Sequence, residues 1–192
     1  MNLWRLDCGA QTILVGGDEN LAEVFYWGAL LPESENLKSI WNITRLDYSG
    51  GVLDGVPALS ICPEVSKTFN GHPGMRIRGA SGKRLYPNFR LTNAKLSKTS
   101  LLLEYEDPEI GLTYKANFRA HKETSVFELS ASLTANTDIL VDWFAAPVLP
   151  ATQAAQKMID FSGHWCREFQ KQETDWSIGA RLRNNQTGRT GH

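Results

Sequence analysis

The chain holds residue types able to do acid–base, nucleophilic or metal chemistry, but their spacing assembles no self-contained catalytic device. Its four histidines, His72, His121, His164 and His192, are scattered, and none stands at a metal-ligand spacing such as HxxxH. His121 falls at a predicted strand end before a turn, where a solvated imidazole is expected. His164, in Phe161-Ser162-Gly163-His164-Trp165, is read as a packing or interface residue. A hydrolase nucleophile would need a GxSxG elbow or a cysteine beside a histidine, and neither pattern occurs. Cys166 follows Trp165 and is expected to alternate into the core as a small buried hydrophobe. There is no CxxC pair, so no metal site is predicted, and no cofactor. Gly50-Gly51-Val52-Leu53-Asp54-Gly55 matches neither a P-loop nor GxGxxG, and turn geometry accounts for its glycines.

Two signals remain. Carboxylates near apolar or aromatic neighbours, Asp7, Asp47, Asp54, Asp142 and Asp160, could break a glycosidic bond only as a pair roughly 5 to 9 Å apart. Sequence alone places no such pair, and turn or strand-edge roles are expected for most of them. Six tryptophans are the second signal: Trp4, Trp27, Trp41, Trp143, Trp165 and Trp176. Flat indole faces pack against pyranose rings and dominate interface hot spots, although a core role is the commoner fate of any one of them. Trp41 and Trp176 are read as loop residues, better placed to touch a ligand.

The elements that must position these groups are strands. Four stretches between Lys83 and Phe144 alternate apolar and polar residues with period two. The clearest puts Leu112, Tyr114, Ala116, Phe118 and Ala120 on one face. The next puts Phe127, Leu129, Ala131 and Leu133 together. Successive strand side chains point to opposite faces, so each stretch buries one side and wets the other, as in antiparallel sheets. Gln11–Val15 and Glu23–Leu30 read as strands flanking a turn at Gly16–Asn20. Asp107–Glu109, Lys122–Thr124 and Asn136–Asp138 read as connections. Residues 32–82 read as weakly structured, a stretch that is often functional in a compact domain. Residues 151–157 predict one or two helical turns. Strands are predicted at Met158–Trp165, Cys166–Glu173 and Ile178–Arg183. A dozen or so strands in one chain imply an all-β fold of stacked antiparallel sheets.

The chain has 192 residues, 42% hydrophobic and 21% charged, with a net charge of -1. That suits a soluble domain and gives no basic surface for nucleic acid. Three cysteines, Cys8, Cys62 and Cys166, fit a reducing compartment better than a disulfide framework. No signal peptide is apparent and no apolar run nears the roughly 18 residues of a membrane helix. A cytoplasmic location is expected, with no membrane partner, so the sequons at Asn42 and Asn185 carry little weight.

Six runs occur in a telling order: Trp4-Arg5-Leu6-Asp7, Val24-Phe25-Tyr26-Trp27-Gly28, Gly51-Val52-Leu53-Asp54-Gly55, Asp142-Trp143-Phe144-Ala145-Ala146-Pro147, Asp160-Phe161-Ser162-Gly163-His164-Trp165 and Gly188-Arg189-Thr190-Gly191-His192. Together they resemble the N-terminal domain of α-galactosidases of glycoside hydrolase family 36, across essentially the whole chain. The resemblance implies a galactose mutarotase-like β-supersandwich spanning 1–192 as one domain, cut from a parent that continues into a (β/α)8 barrel. The family's nucleophile and acid/base are aspartates on that barrel, so no aspartate here inherits either role. The parent would hydrolyse terminal α-galactosides of the melibiose and raffinose type. The resemblance also implies a homo-oligomer in which this domain reaches a neighbour's active site through the region after the YWG strand, about Leu37–Gly55. In that region Asp47 or Asp54 would accept from sugar hydroxyls, Arg45 would donate, and Trp41 would cover a sugar face. The alternatives are a free-standing carbohydrate-binding module and a purely structural assembly domain.

Overall fold

In the computed structural model the described residues are 1–45, 58–151, 154–164 and 166–177. They form twelve strands and one α-helix. The chain groups into two compact units, Met1–Pro150 and Ala151–His192.

The first unit is built of three antiparallel sheets. One runs β1 (Asn2–Cys8), β2 (Gln11–Gly17), β3 (Glu23–Ala29). The second has the order β10-β4-β5, with β4 at Met75–Gly79, β5 at Arg84–Leu85 and β10 at Ile139–Phe144. The third follows chain order through β6 (Arg90–Leu96), β7 (Ser100–Asp107), β8 (Leu112–His121) and β9 (Val126–Ala135). The expected inward face of β8 is the observed one: Leu112, Tyr114, Ala116, Phe118 and Ala120 are all at most 5% exposed. Leu101, Leu103 and Tyr105 of β7 join them in one core, with Leu6 and Cys8 of β1 and Ile13 and Val15 of β2. Each large apolar side chain so buried contributes roughly 1.5–3 kcal/mol, so these two sheets stack as a sandwich because each has one apolar face to hide. The turns expected after β7, β8 and β9 are all present.

Strand β2 is buried on both faces, and the outer face explains the helix. Residues 32–82 hold more structure than their composition predicts: α1 spans Leu37–Thr44, and a 3-10 turn spans Val65–Lys67. Asn36 caps α1 by accepting from the Ser39 N–H at 3.1 Å. Leu37, Ile40 and Trp41, at spacings of three and four, are its partly buried positions. Trp41 therefore lies on a helix rather than in a loop. Trp41 reaches the outer face of β2 at Gly16, where an added Cβ would sit 2.5 Å from the indole. The approach to α1 is tied down by Arg5, whose guanidinium donates to the Pro32 carbonyl at 2.8 Å and to that of Leu31. Asp7 accepts from Arg5 Nε at 3.0 Å and from the Thr12 hydroxyl at 2.6 Å. Thr12 in turn accepts from the Leu31 N–H at 3.1 Å.

The second unit contains the hairpin β11 (Lys157–His164) and β12 (Arg167–Asp175), close to the strands expected there. Two expectations fail in this unit. None of the described residues among 151–157 is helical, and Lys157 already belongs to β11. Cys166 is exposed instead of buried, because β11 ends at His164 and the cysteine takes a left-handed φ of 67° in the turn. The strand expected at Ile178–Arg183 lies outside the described residues. No helix among the described residues is long and apolar enough to cross a membrane.

Polar groups inside the first unit are mostly satisfied. The Tyr105 hydroxyl accepts from the Ala22 N–H at 3.2 Å. Glu64, 8% exposed, accepts from the Phe89 N–H at 3.0 Å. Burial raises the Glu64 carboxyl to about 7, outweighing that hydrogen bond and the pull of Lys67. Burial, with Glu64 nearby, also pushes the Cys62 thiol up to about 12. The Tyr114 hydroxyl is the exception: buried, it finds no partner among the described residues.

Two outcomes are expected. Tyr114→Phe removes an unmet hydroxyl without changing the ring, so it should stabilise by about 1 kcal/mol and raise Tm by ~2–4 °C. A lowered Tm in calorimetry would show that the hydroxyl has a partner. The second concerns Glu64. Its folded-state pKa of about 7 exceeds the 4.5 of an ordinary glutamate. The folded state therefore holds the extra proton in that window, and stability must decline as pH rises through it, by of order 2 kcal/mol. Glu64→Gln should remove the decline, leaving the variant the more stable form at pH 8. Parallel urea midpoints for the two proteins between pH 5 and 8 would contradict this.

Candidate sugar-facing site

Three of the site features build on the outer face of the first sheet. Glu23 pairs with Gly16 across β2 and β3, which places it on the face that carries Trp41. The β2–β3 register shifts between Leu14 and Val15, which pair with Tyr26 and Val24 and leave Phe25 as the extra residue of a bulge. Bulges re-aim side chains, and Phe25 meets Trp41 edge to face, with ring centroids 5.1 Å apart. Arg45, the first residue past α1, returns to extended backbone. Its guanidinium stacks 3.7 Å from the Trp41 ring centroid and is clamped by Glu23 at 2.7 Å. A planar cation on an indole face and against a carboxylate is held in position and orientation, with most of its charge answered locally. Beside it opens a cleft of about 310 Å³, lined by Glu23, Trp41 and Arg45 together with Asn20, Ser60 and Lys67.

Of the four residues expected to face a sugar, Trp41 and Arg45 come together in this platform. Asp47 and Asp54 lie outside the described residues. The ring face on which Arg45 stacks is used by the guanidinium, so the group that this arrangement presents to a ligand is a fork of N–H donors on an aromatic base. Glu23 and Phe25 were missed by sequence reasoning. Their partners lie 16 to 22 residues away in number, and the YWG run, Val24–Gly28, contains Phe25 without showing what it packs against. The one signal present was the Asn36 cap followed by Leu37, Ile40 and Trp41, a weak helical pattern that would bring Trp41 back onto the strands.

The other carboxylates singled out have structural work. Asp7 anchors the entry to α1. Asp142 is itself a bulge residue of β10 and binds Arg78 through both oxygens, at 2.8 and 2.6 Å. That pairing holds its carboxyl below the ordinary aspartate range. Asp160 lies on β11 in the second unit. His121 closes β8 and is exposed as expected, with a pairing to Glu128 at 2.7 Å that the sequence did not indicate. Among the described residues no three of His, Cys, Asp and Glu gather where they could hold a metal.

Comparison with known proteins is consistent with this architecture. Residues 20–192 match the model of the glycosyl hydrolase family 36 N-terminal domain. The fold is similar to that of the family 36 α-galactosidase AgaA of Geobacillus stearothermophilus, in a variant solved in complex with raffinose. The identity is 15% and the TM-score 0.73, covering 93% of this chain and 28% of that one. Another AgaA variant, solved with stachyose, is 14% identical with a TM-score of 0.71, over 93% and 28% of the two chains. The α-galactosidase of Lactobacillus brevis is 17% identical with a TM-score of 0.67, over 92% of this chain and 28% of that one. No curated protein matches the chain. It spans 28% of the length of the solved α-galactosidases that it matches. With strand order, stacked sheets and a matched segment from residue 20 to 192, the chain belongs to the glycosyl hydrolase family 36 N-terminal domain family.

Proposed function

We propose that the two units, residues 1–192, act together as the non-catalytic N-terminal domain of a retaining α-galactosidase that cleaves terminal α-galactosides. The bond-breaking aspartates belong to a (β/α)8 barrel elsewhere in the parent polypeptide. The domain supports a homo-oligomer and lends the Arg45 platform to a sugar site shared with a neighbouring subunit, in a cytoplasmic enzyme. The observation that carries this reading is the Glu23–Arg45–Trp41 stack at a cleft mouth, in a chain of this family. A guanidinium whose charge is answered by Glu23 still offers N–H donors to uncharged hydroxyls, which suits a neutral sugar better than a phosphate or a carboxylate. Asp47 and Asp54, in the segment that follows Arg45, supply acceptors to complete the hydroxyl contacts.

The 192-residue chain alone should hydrolyse no activated aryl α-galactoside; turnover that follows the chain through purification overturns the assignment. In the parent enzyme Arg45→Ala and Asp54→Ala should raise KM about tenfold while kcat and Tm stay close to wild type, the pattern of lost substrate binding, and Trp41→Ala should raise KM likewise with some loss of Tm because it also releases α1. Glu23→Gln should do so to a lesser degree, since it loosens Arg45 without removing it. Unchanged KM in all four variants would remove the shared site.

A further inference from the structure

A second cavity, of about 350 Å³, lies in the first unit. Its walls come from Glu64 and the 3-10 turn at Val65–Lys67, from β4 and β5, and from the segment Tyr86–Phe89. Three side chains fix the backbone of that last segment. The Ser66 hydroxyl donates to the Pro87 carbonyl. Asp107 accepts from the Asn88 N–H at 2.7 Å. Glu64 accepts from the Phe89 N–H at 3.0 Å. The wall at Pro73 is equally constrained. The Gly74 N–H donates to the Pro63 carbonyl at 2.9 Å, and a Cβ on Gly74 would lie 2.5 Å from the Cys62 sulfur. The cavity is thus built by rigid segments, as preformed ligand sites are.

Glu64 is the informative group. It caps the 3-10 turn by position yet makes no capping hydrogen bond, because its side chain turns to Phe89 instead. One oxygen is used there. The other makes no hydrogen bond among the described residues, and the residue, only 8% exposed, lies between this cavity and the Arg45 cleft and lines both. An acceptor at a cavity wall is open to a donor from water or from a solute. Water can meet it, but each water needs only ~30 Å³, and the cavity has room for a ring-sized solute besides.

The rest of the lining selects the solute. Tyr86 is 55% exposed and offers a flat aromatic face. Met75, Ile77 and Leu85 supply apolar wall. Arg76, Arg84 and Asp142 supply planar polar edges, and Asp142 is itself locked by Arg78. Three guanidiniums stand against two carboxyls, a slight positive excess once Arg78 is counted, so an inorganic anion is the competing ligand to test. A molecule with an apolar C–H face and a rim of hydroxyls fits such a lining. A hydroxyl, being both donor and acceptor, meets the Glu64 carboxyl in either of its protonation states.

We propose that this cavity is a second sugar-binding site. It takes a neutral monosaccharide, or the end ring of an oligosaccharide, with a hydroxyl on the free oxygen of Glu64, a ring face on Tyr86 and further hydroxyls on Arg76, Arg84 and Asp142. The site shares Glu64 with the Arg45 cleft but has Tyr86, Arg76, Arg84 and Asp142 to itself and needs no neighbouring subunit, so it does not rest on the shared-site reading.

Titration calorimetry on the full 192-residue chain tests it, with galactose, raffinose and, as the anion probe, inorganic phosphate. Saturable sugar binding in the millimolar range is expected. Tyr86→Ala should weaken it about tenfold and Glu64→Gln about threefold. Tyr86 is exposed, so its variant reads the site even if Glu64→Gln disturbs the fold. Sugar binding that is absent, or that Tyr86→Ala leaves unchanged, overturns the proposal, as does phosphate binding without sugar binding. Loss of binding in Arg45→Ala with Tyr86→Ala intact puts the sugar in the Arg45 cleft, which overturns this proposal and leaves the shared-site reading standing.

Discussion

The one-sided burial of β7 and β8 is the constraint from which the rest of the first unit follows. Five alternate residues of β8 and their neighbours on β7 are sealed against β1 and β2. A slip of one residue would carry that whole set to the wet face, so the register is fixed. A fixed register makes departures from it meaningful. Among the described residues of this unit, bulges leave Phe25, Thr92 and Asp142 as extra residues. One of these three, Asp142, lines a cavity beside Arg84, and another, Phe25, packs on Trp41, which lines the other. The sandwich thus supplies a rigid frame, and local irregularity in it turns side chains toward ligand-sized space.

The same frame explains why several residues of chemical appearance are spent on architecture. Arg5, Asp7 and Thr12 lie on the outer face of β1 and β2 and together hold residues 31 and 32, where the chain turns into α1. The helix is eight residues long, has no fully buried residue and would not persist alone. Its position depends on this polar tether at one end and on the Trp41–Gly16 contact within it. Through that contact, the conformation of a single guanidinium at Arg45 depends on a strand pair more than twenty residues earlier.

Those dependencies set what could be read in advance. Period-two burial is local, so β8 and β9 were legible from alternation alone, and their connecting turns from Asp, Pro and Lys-Glu-Thr punctuation. Helix α1 was not, because three partly buried positions in eight residues give a weak periodic signal inside a segment rich in turn formers. Cys166 was misread by extending strand alternation across a turn that its positive φ creates. Trp41 was singled out as an indole outside the predicted strands, Arg45 through a family resemblance, and their partnership through geometry. The roles of Glu23 and Glu64 were hidden altogether. Each is defined by a group 22 or 25 residues distant, Arg45 for one and the Phe89 N–H for the other, and no spacing rule connects such pairs.

The proposed binding role asks less of these acidic side chains than bond cleavage would. A glycosidase carboxyl must face the substrate and change protonation or bond order during turnover. Here Asp7 carries the tether to α1, Asp142 grips Arg78, Glu23 grips Arg45, and Asp107 and Glu64 hold the backbone of the Tyr86–Phe89 segment. Taking any of these through a catalytic cycle would repeatedly release what it fastens. Binding makes no such demand. A carboxylate that orients a guanidinium, or an oxygen left over after its twin has met a backbone N–H, can receive a hydroxyl without letting go of its structural partner. The proposed division of labour between a binding scaffold and a catalytic part elsewhere is consistent with that difference in mechanical load.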